Sequence, residues 1–241
     1  MTEELFREDS TLAECSATVL ALDEGGVILD RTVFYPQGGG QAGDAGALLL
    51  ADGTCVAIID ARKSKLHAGA VLHIPAPEVD LSRLSPDTIV TARIDWQRRY
   101  RHMRFHTSTH LLCALVPHPV DGCSIAADYA RLDFHTVEPL DKEALTAGLA
   151  RLVNEAHIVR HRWISEAELD ANPGLVRSMS VQPPRGHGRV RLLEIEGVDL
   201  QPCGGTHVGN TSEIGAVVVT KIEKKSAMTR RVVLGFAAYR A

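Results

Sequence analysis

The sequence predicts an α+β protein in which a small N-terminal β-barrel precedes an α+β domain. Short runs rich in Val, Ile, Leu and Thr, separated by turn residues, fill residues 16–95 of the 241-residue chain. After residue 95 the apolar residues recur with helical spacing. Strand-like runs continue between the helical segments, and helices mixed with antiparallel strands are typical of an α+β layer. We therefore expect two domains, residues 1–94 and 95–241.

Six strands are expected in the first domain, and many short strands at this spacing favour a small barrel or sandwich. Glycine-containing turns at residues 23–26 and 51–54 separate them, because glycine supplies the positive φ that tight hairpins need. The expected strands are Ser16–Leu22, Val27–Phe34, Ala47–Leu50, Cys55–Asp60, Ala70–Ile74 and Thr88–Asp95.

Three helices are expected in the second domain. The first covers His102–Val116 and carries one apolar stripe. The second covers Asp141–Ala156, with Asp141 as its N-cap. Ser165 and Glu168 have the spacing of a capping box and predict a short third helix. The expected strands are Ala130–Val137, Ile158–Ile164, Arg189–Ile195, Ile214–Ile222 and Arg231–Phe236.

The charge is unevenly distributed. The formal net charge of −4 argues, taken alone, against a nucleic-acid-binding protein. Residues 1–30, however, contain eight acidic residues and one arginine, whereas residues 93–104 contain five arginines and one aspartate. Residues 221–240 contain six basic residues and one glutamate. Two basic segments that can contact phosphates are therefore present within a mildly acidic chain.

The cysteine pattern and the N-terminus indicate a cytoplasmic protein. Five cysteines are scattered without a Cys-x-x-Cys pair, which suits reduced thiols better than a disulfide framework. The first residues lack the basic start and apolar run of a secretory signal. No stretch approaches the ~18 apolar residues of a spanning helix, so no membrane partner is expected.

His106 and His110 are the first candidate ligands. Residues four apart on a helix face the same way, so both imidazoles can reach one ion. A metallopeptidase needs a glutamate after the first histidine, and Thr107 occupies that position. A zinc peptidase is therefore disfavoured.

Cys203 and His207 are the second candidate pair. The two glycines between them allow the loop to curl around an ion. With the helical histidines they give four nitrogen and sulfur ligands, which zinc prefers. We expect one zinc ion per chain, although four protein ligands is also the count of a purely structural site. Cys113 is a competing ligand, but its apolar neighbours favour a core thiol.

The segment Phe34–Gly43 contains three consecutive glycines followed by a glutamine. Such a segment lets the backbone approach another surface or an extended ligand closely. No Gly-Lys-Ser/Thr follows, which excludes a phosphate-binding P-loop. A simple hairpin loop is the alternative interpretation.

The combined motifs resemble the editing domain shared by alanyl-tRNA synthetase and the free-standing alanyl-tRNA editing proteins called AlaX. The His106-x-x-x-His110 motif and the later Gln201–His207 segment carry this resemblance, and the glycine-rich loop is similar to that of the medium-length class. Further matching blocks are Leu5–Asp9, Arg31–Gln41, Asp95–Tyr100, Met103–His106, Arg131–Phe134 and Thr211–Gly215.

The resemblance implies a β-barrel followed by the editing domain also found in threonyl-tRNA synthetases. It implies hydrolysis of the ester that joins a wrong amino acid, serine or glycine, to tRNA(Ala), with zinc as cofactor. Serine is expected to be the better substrate, because editing of glycine requires steric rejection of the alanine methyl group, which is worth only ~1–3 kcal/mol. The catalytic and metal-binding residues would be His106, His110, Cys203 and His207. The expected substrate-binding residues are Thr107, Ser124, Gly38, Gly39, Gly40, Gln41, Gln201, Arg230 and Arg231.

The chain departs from the family pattern at Lys224–Arg231, where members commonly have Gly and Asn before a paired arginine. The sequence leaves open whether zinc activates water or only positions the substrate, and it indicates no general base. Two alternatives to an editing enzyme remain: an RNA-binding module with structural zinc, and a zinc hydrolase of small esters or amides.

Overall fold

The computed structural model describes residues 1–176 and 188–237, which form two compact units. The first unit comprises Met1–Gly38 and Ala42–Tyr100. The second comprises Gly39–Gln41 and the chain from Arg101 onward. Three residues of the glycine-rich segment thus belong to the second unit, although residues on both sides of them belong to the first. The domain boundary at residues 94/95 stays a prediction.

The first unit is built from short strands, six of which close into a barrel. In chain order its strands are β1 (Glu3–Glu4), β2 (Glu14–Asp23), β3 (Gly26–Leu29), β4 (Arg31–Thr32), β5 (Gly46–Leu50), β6 (Cys55–Lys63), β7 (Val71–Pro75) and β8 (Ile89–Ile94). The barrel order is β2-β3-β7-β6-β5-β8, with every neighbouring pair antiparallel. The predicted barrel is confirmed.

The barrel core follows from the two-residue periodicity of its strands. On β6, Val56 and Ile58 are buried, and on β8, Val90, Ala92 and Ile94 are buried, while most of the residues between them face outward. The fifteen buried apolar residues of this core form one continuous cluster. The alternation that predicts these strands therefore also defines the side of each strand that faces inward.

The predicted strand Val27–Phe34 is divided in the structure. Strand β3 ends at Leu29, and after Asp30 the two residues of β4, Arg31 and Thr32, pair with β1 instead, in parallel. The carboxylate of Asp30 accepts hydrogen bonds from the backbone N–H groups of Thr18 (2.7 Å) and Arg31 (2.8 Å). A side chain that hydrogen-bonds to nearby backbone groups competes with the backbone hydrogen bonds between strands. The Asp30 side chain therefore ends strand β3.

His73, on β7, lies fully buried in the first unit. Its Nδ1 donates to the carbonyl oxygen of Val27 (2.9 Å), and its Nε2 accepts from the hydroxyl of Thr32 (2.8 Å). Burial lowers the pKa of this imidazole from 6.5 to about 4. The folded barrel thus holds His73 neutral, whereas the unfolded chain takes up a proton below pH 6.5.

This difference predicts that the free energy of unfolding decreases as the pH falls from about 6.5 to about 4, because the unfolded state then binds the extra proton. Between pH 7 and pH 5, His73 should account for about 2 kcal/mol of lost stability. Urea unfolding of the wild type and of His73→Gln at both pH values measures this contribution. Equal losses in the two proteins would contradict the assignment.

Helix α1 (Trp96–Leu115) begins six residues before the predicted start. The side chain of Asp95 accepts a hydrogen bond from the backbone N–H of Arg98 (3.0 Å), as an N-terminal cap does. Every residue from Phe105 to Cys113 is buried, so this part of the helix has no exposed face. None of the helices in residues 1–176 and 188–237 has the length and apolar character that a membrane crossing requires.

The rest of the second unit contains two antiparallel sheets and two shorter helices. In chain order its elements are β9 (Val120–Ile125), β10 (Ala130–His135), α2 (Lys142–Asn154), β11 (Val159–Ser165), α3 (Glu166–Asp170), β12 (Arg189–Ile195), β13 (Asp199–Pro202), β14 (Val217–Lys224) and β15 (Thr229–Phe236). One sheet has the order β14-β15-β10-β9 and the other the order β11-β12-β13. This mixture of helices and antiparallel sheets confirms the predicted α+β class.

The predicted helix caps are present. Asp141 accepts from the backbone N–H of Ala144 at the start of α2, and Ser165 and Glu168 form a capping box on α3. Helix α2 lies against β14. The predicted strand Ile214–Ile222 starts only at Val217, because a 3-10 helix capped by Asn210 occupies residues 211–214.

Candidate metal centre

Helix α1 presents His106 and His110 on one face, with their ring centroids 5.6 Å apart. Three hydroxyl residues separate them, and all three are buried. The hydroxyls donate to helix carbonyls, from Thr107 to Met103 (2.9 Å) and from Thr109 to His106 (2.7 Å), for example. These residues can therefore be buried without unpaired polar groups, and the histidines sit on a rigid, enclosed helix.

The loop after β13 supplies Cys203 and His207. A Cβ added at Gly205 would overlap the ring of His106, so only glycine allows the loop to approach the helix this closely. Arg191 fixes the loop by donating to the carbonyl oxygens of Cys203 (3.1 Å) and Gly205 (2.9 Å). Gly205 of the Cys-Gly-Gly-Thr-His motif thus allows the contact between the loop and helix α1.

His106, His110, Cys203 and His207 offer four ligand atoms that all lie within 4.8 Å of one another. The sulfur of Cys203 is 3.5 Å from Nε2 of His106 and 3.2 Å from Nε2 of His207. The three histidines are buried, and Cys203 is partly buried. This group can hold one metal ion, and the structure brings together the four residues that the sequence predicts as ligands.

Each histidine has a protein partner at Nδ1, on the side of the ring away from the cluster. His106 donates to Gln41 (2.7 Å) and His110 donates to Asp199 (2.8 Å). His207 contacts the hydroxyl of Thr107 (3.2 Å), whose own proton is directed to a helix carbonyl. These partners fix the ring orientations and leave the Nε2 atoms directed toward the cluster, as metal-binding histidines require.

The charges around the cluster favour a cation. Burial alone would raise the pKa of the Cys203 thiol, but the imidazoles of His106 and His207 hold that pKa well below its ordinary value. Burial also opposes a charge on His110, yet its hydrogen bonds with Asp199 and Cys203 raise its pKa to about 10. A thiolate and a carboxylate therefore stabilise positive charge at this point, which is what a bound metal ion requires.

Asp199 contacts a candidate ligand, and it is not among the residues that the sequence predicts for the site. Its carboxylate contacts His110 and accepts from the side-chain amide of Gln201 (2.9 Å to each oxygen). Because side chains alternate along a strand, Asp199, Gln201 and Cys203 fall on the same side of β13 and its continuation. This spacing of two residues before the cysteine was the available signal.

The predicted substrate-binding residues are distributed differently. Gln41 and Thr107 contact the cluster histidines, and Gln201 contacts Asp199. Gly39 and Gly40 belong to the second unit with Gln41, whereas Gly38 belongs to the first. Ser124 pairs with Arg131 on β10, so it lies on the strand face opposite to its neighbour Cys123.

Both predicted arginines of β15 already bind protein groups. Arg231 donates to both carboxylate oxygens of Asp133, at 2.6 and 2.8 Å. Arg230 donates to the carbonyl oxygens of Val137 (2.5 Å) and Ser226 (3.2 Å). Ser226 also accepts from the backbone N–H of Met228 (3.1 Å), so a serine side chain holds the turn that departs from the family pattern.

The basic segment 93–104 does not form an open patch of arginines. Arg99 is fully buried against Asp44, and Arg104 stacks its guanidinium over Phe236 with 3.9 Å to the ring centroid. In the other basic segment, Lys224 and Lys225 are exposed, whereas Arg240 lies outside the described residues.

Comparisons with known proteins agree with this architecture. Residues 190–233 match the family described as the threonyl and alanyl tRNA synthetase second additional domain, and residues 5–98 match the class II (A) tRNA synthetases. The chain is 35% identical to the alanyl-tRNA editing protein AlaX-M of Methanosarcina mazei, covering 96% of this chain and 95% of that protein. It is 34% identical to AlaX-M of Saccharolobus solfataricus, covering 96% and 98%.

A longer relative is the alanine–tRNA ligase of Pyrococcus furiosus, which is 35% identical over 99% of this chain but only 26% of the ligase. The similarity to the AlaX-M proteins, in contrast, extends over nearly the full length of this chain and of each relative. The chain therefore belongs to the AlaX-M family of alanyl-tRNA editing proteins.

Proposed function

We propose that this protein hydrolyses the ester bond between a wrong amino acid, chiefly serine and less efficiently glycine, and tRNA(Ala). The observation that carries the proposal is the buried cluster of three histidines and one cysteine in a chain of this family. The names of the relatives, alanyl-tRNA editing proteins, support the same reaction class.

Zinc is the proposed metal, with one ion per chain. Imidazole and thiolate ligands suit zinc, and a tetrahedral ion would place a sulfur and a nitrogen ligand about 3.6 Å apart. The distances of 3.5 and 3.2 Å from Cys203 to His106 and His207 are close to that value. The donor set therefore fits zinc in both chemistry and spacing.

Bound at this cluster, zinc would supply a Lewis acid that polarises a carbonyl oxygen or lowers the pKa of a water molecule. The chain's own contribution is mainly to position the substrate, because an aminoacyl ester is already activated. Asp199 is occupied by His110 and Gln201, so it acts as a support for the ligand and not as a free base. The buried surroundings strengthen every electrostatic contact with the ester.

Serine is proposed as the better substrate for a physical reason. A site that hydrogen-bonds the serine hydroxyl can reject the analogue lacking it by a factor of ~10⁴–10⁵. Glycine differs from alanine only by the absence of a methyl group, and a methyl is worth ~1–3 kcal/mol of discrimination. A site that leaves alanyl-tRNA(Ala) intact can therefore hydrolyse seryl-tRNA(Ala) rapidly, but it can hydrolyse glycyl-tRNA(Ala) only more slowly.

Phosphate contacts are proposed for the hairpin between β14 and β15. Lys224 and Lys225 are exposed there, next to Arg230. Contacts of this kind release counterions, so binding of tRNA(Ala) should weaken as salt is added.

The decisive experiment is release of serine from seryl-tRNA(Ala). We expect the wild type to release serine and to leave alanyl-tRNA(Ala) intact. His110→Ala should reduce kcat/KM by more than about a hundredfold. Mutation of a residue that only hydrogen-bonds to a metal ligand typically reduces metal affinity or activity by about 10–100-fold, and loss of a ligand itself should cost more. The matched control is His67→Ala, since His67 is exposed and belongs to the first unit. Release by the wild type no faster than in buffer would eliminate the enzyme proposal.

A second candidate is an RNA-binding module whose metal is purely structural. It is favoured by the count of four protein ligands, which is typical of closed structural sites. This module would bind tRNA in a salt-dependent way without releasing serine. A zinc hydrolase of small esters would instead cleave serine methyl ester and would be unaffected by added tRNA.

A further inference from the structure

We propose that Gln41, from the glycine-rich segment, is a positioning residue that fixes the ring of His106 for metal binding. The inference rests on the metal site proposed above and assigns a different task from the substrate contact that the sequence predicts for Gln41. The two tasks make different predictions about metal affinity: loss of a positioning residue weakens metal binding, whereas loss of a substrate contact leaves metal binding unchanged.

The hydrogen bonds of Gln41 define the orientation of its amide. Its side chain is fully buried, and its Oε1 lies 3.2 Å from the backbone nitrogen of Thr206. A backbone N–H can only donate, so the atom facing it must be the amide oxygen. The amide nitrogen then donates to the hydroxyl of Thr206 (2.9 Å).

The same oxygen lies 2.7 Å from Nδ1 of His106. Because an amide oxygen only accepts, His106 must carry its proton on Nδ1. In the neutral form of the ring, which is the form that binds a metal ion, the lone pair is then on Nε2, the atom 3.5 Å from the sulfur of Cys203. Gln41 thus selects the tautomer of His106 that can bind a metal ion at the cluster.

Two glycines make room for this contact. Gly40 has a φ of +84°, and a Cβ there would lie 2.9 Å from the sulfur and 3.1 Å from the carbonyl oxygen of Cys123. A Cβ on Gly205 would lie 3.1 Å from Oε1 of Gln41 and would overlap His106. A hydrogen bond from the N–H of Ile125 to the carbonyl of Gly40 (2.7 Å) fixes the backbone beside Gln41.

The partners of His106 and His110 differ in charge. His110 donates to a carboxylate, whereas His106 donates to a neutral amide. Gln41 therefore orients its histidine without adding a second negative charge to the buried site. Gln41→Glu keeps an acceptor for Nδ1, whereas Gln41→Met preserves the approximate volume and removes the strong acceptor.

The test measures zinc affinity by competition with a chromogenic chelator. Gln41→Met and Gln41→Ala should weaken zinc binding by about 10–100-fold, the range for lost partners of metal-binding histidines. Gln41→Glu should restore the affinity to within about threefold of the wild type. The control is Gln37→Ala, an exposed glutamine four residues earlier, which should change nothing.

The contrary result is equally clear. Unchanged zinc affinity in Gln41→Met, with a raised KM for seryl-tRNA(Ala), would overturn the proposal and favour substrate contact. Zinc affinity is measured without any substrate. If the wild type released no serine, the proposed reaction would be disproved, but the zinc affinities of the variants would still test the role of Gln41.

A second measurement needs no variant. Long-range ¹H–¹⁵N correlation of the zinc-loaded wild type reports which ring nitrogen of His106 carries the proton. Positioning by Gln41 requires a proton on Nδ1, and a proton on Nε2 would contradict it.

Discussion

Cys203→Ala is expected to reduce the metal content from about one ion per chain to a small fraction after dialysis against a chelator. Cys203 is the only thiol of the cluster, and its sulfur lies within 3.5 Å of two of the three histidines. Its loss leaves three imidazoles as the protein ligands, and these bind divalent zinc far more weakly than a set with a thiolate. Elemental analysis measures the metal content, and release of serine from seryl-tRNA(Ala) should fall with it.

The matched control for this prediction is Cys55→Ala. Cys55 is an exposed free thiol on β6 of the first unit, so its removal should leave metal content and activity unchanged. Cys203→Ser adds a variant of nearly the same shape, and it should also lose metal because a hydroxyl is a poor zinc ligand. Full occupancy in Cys203→Ala would show that this cysteine is not a ligand.

Arg99→Met is expected to lower the free energy of unfolding of the first unit by about 3–5 kcal/mol. The side chains of Arg99 and Asp44 are both 0% exposed. Arg99 also donates to the carbonyl oxygens of Ser10 (3.0 Å) and Val33 (2.6 Å). Removing it leaves a buried carboxylate with only the backbone N–H of Tyr35 as donor among these contacts, and an uncompensated buried charge is costly.

A surface ion pair in the same unit provides the control. Arg93 and Glu14 lie 2.7 Å apart, but their side chains are 54% and 53% exposed. Arg93→Met should therefore cost no more than about 1 kcal/mol. Urea unfolding in a Trp163→Phe background allows Trp96 fluorescence to report on the first unit. A cost below 1 kcal/mol for Arg99→Met would contradict the role of the buried pair.

The sequence predicted the barrel because its signals are local. Alternation along β6 and β8 determines which side chains face inward, and glycine turns separate the strands. The start of α1 was harder to predict, because residues 96–102 are mostly charged or polar and lack an apolar stripe. Only the cap by Asp95 marks the true beginning.

The four residues of the cluster were also predictable as candidate ligands, since each pair lies within a short motif. Their contacts with Gln41 and Asp199 were not predictable, because these two residues are 65 and 89 positions away from the histidines that they contact. The burial of Arg99 could not be predicted from the sequence either. It looks like part of a basic surface in the sequence, but tertiary packing buries it against Asp44.

The separation of these residues along the chain has a consequence for synthesis. His106 and Cys203 are 97 positions apart, so the ligand set is incomplete until the second motif has been made. At roughly 5–20 residues per second, a ribosome needs about 5–20 s to cover that distance. Contacts between segments this distant also form slowly, because loop closure costs entropy before any contact stabilises it. Metal loading should accordingly follow translation of the second motif, as a late event in the maturation of the protein.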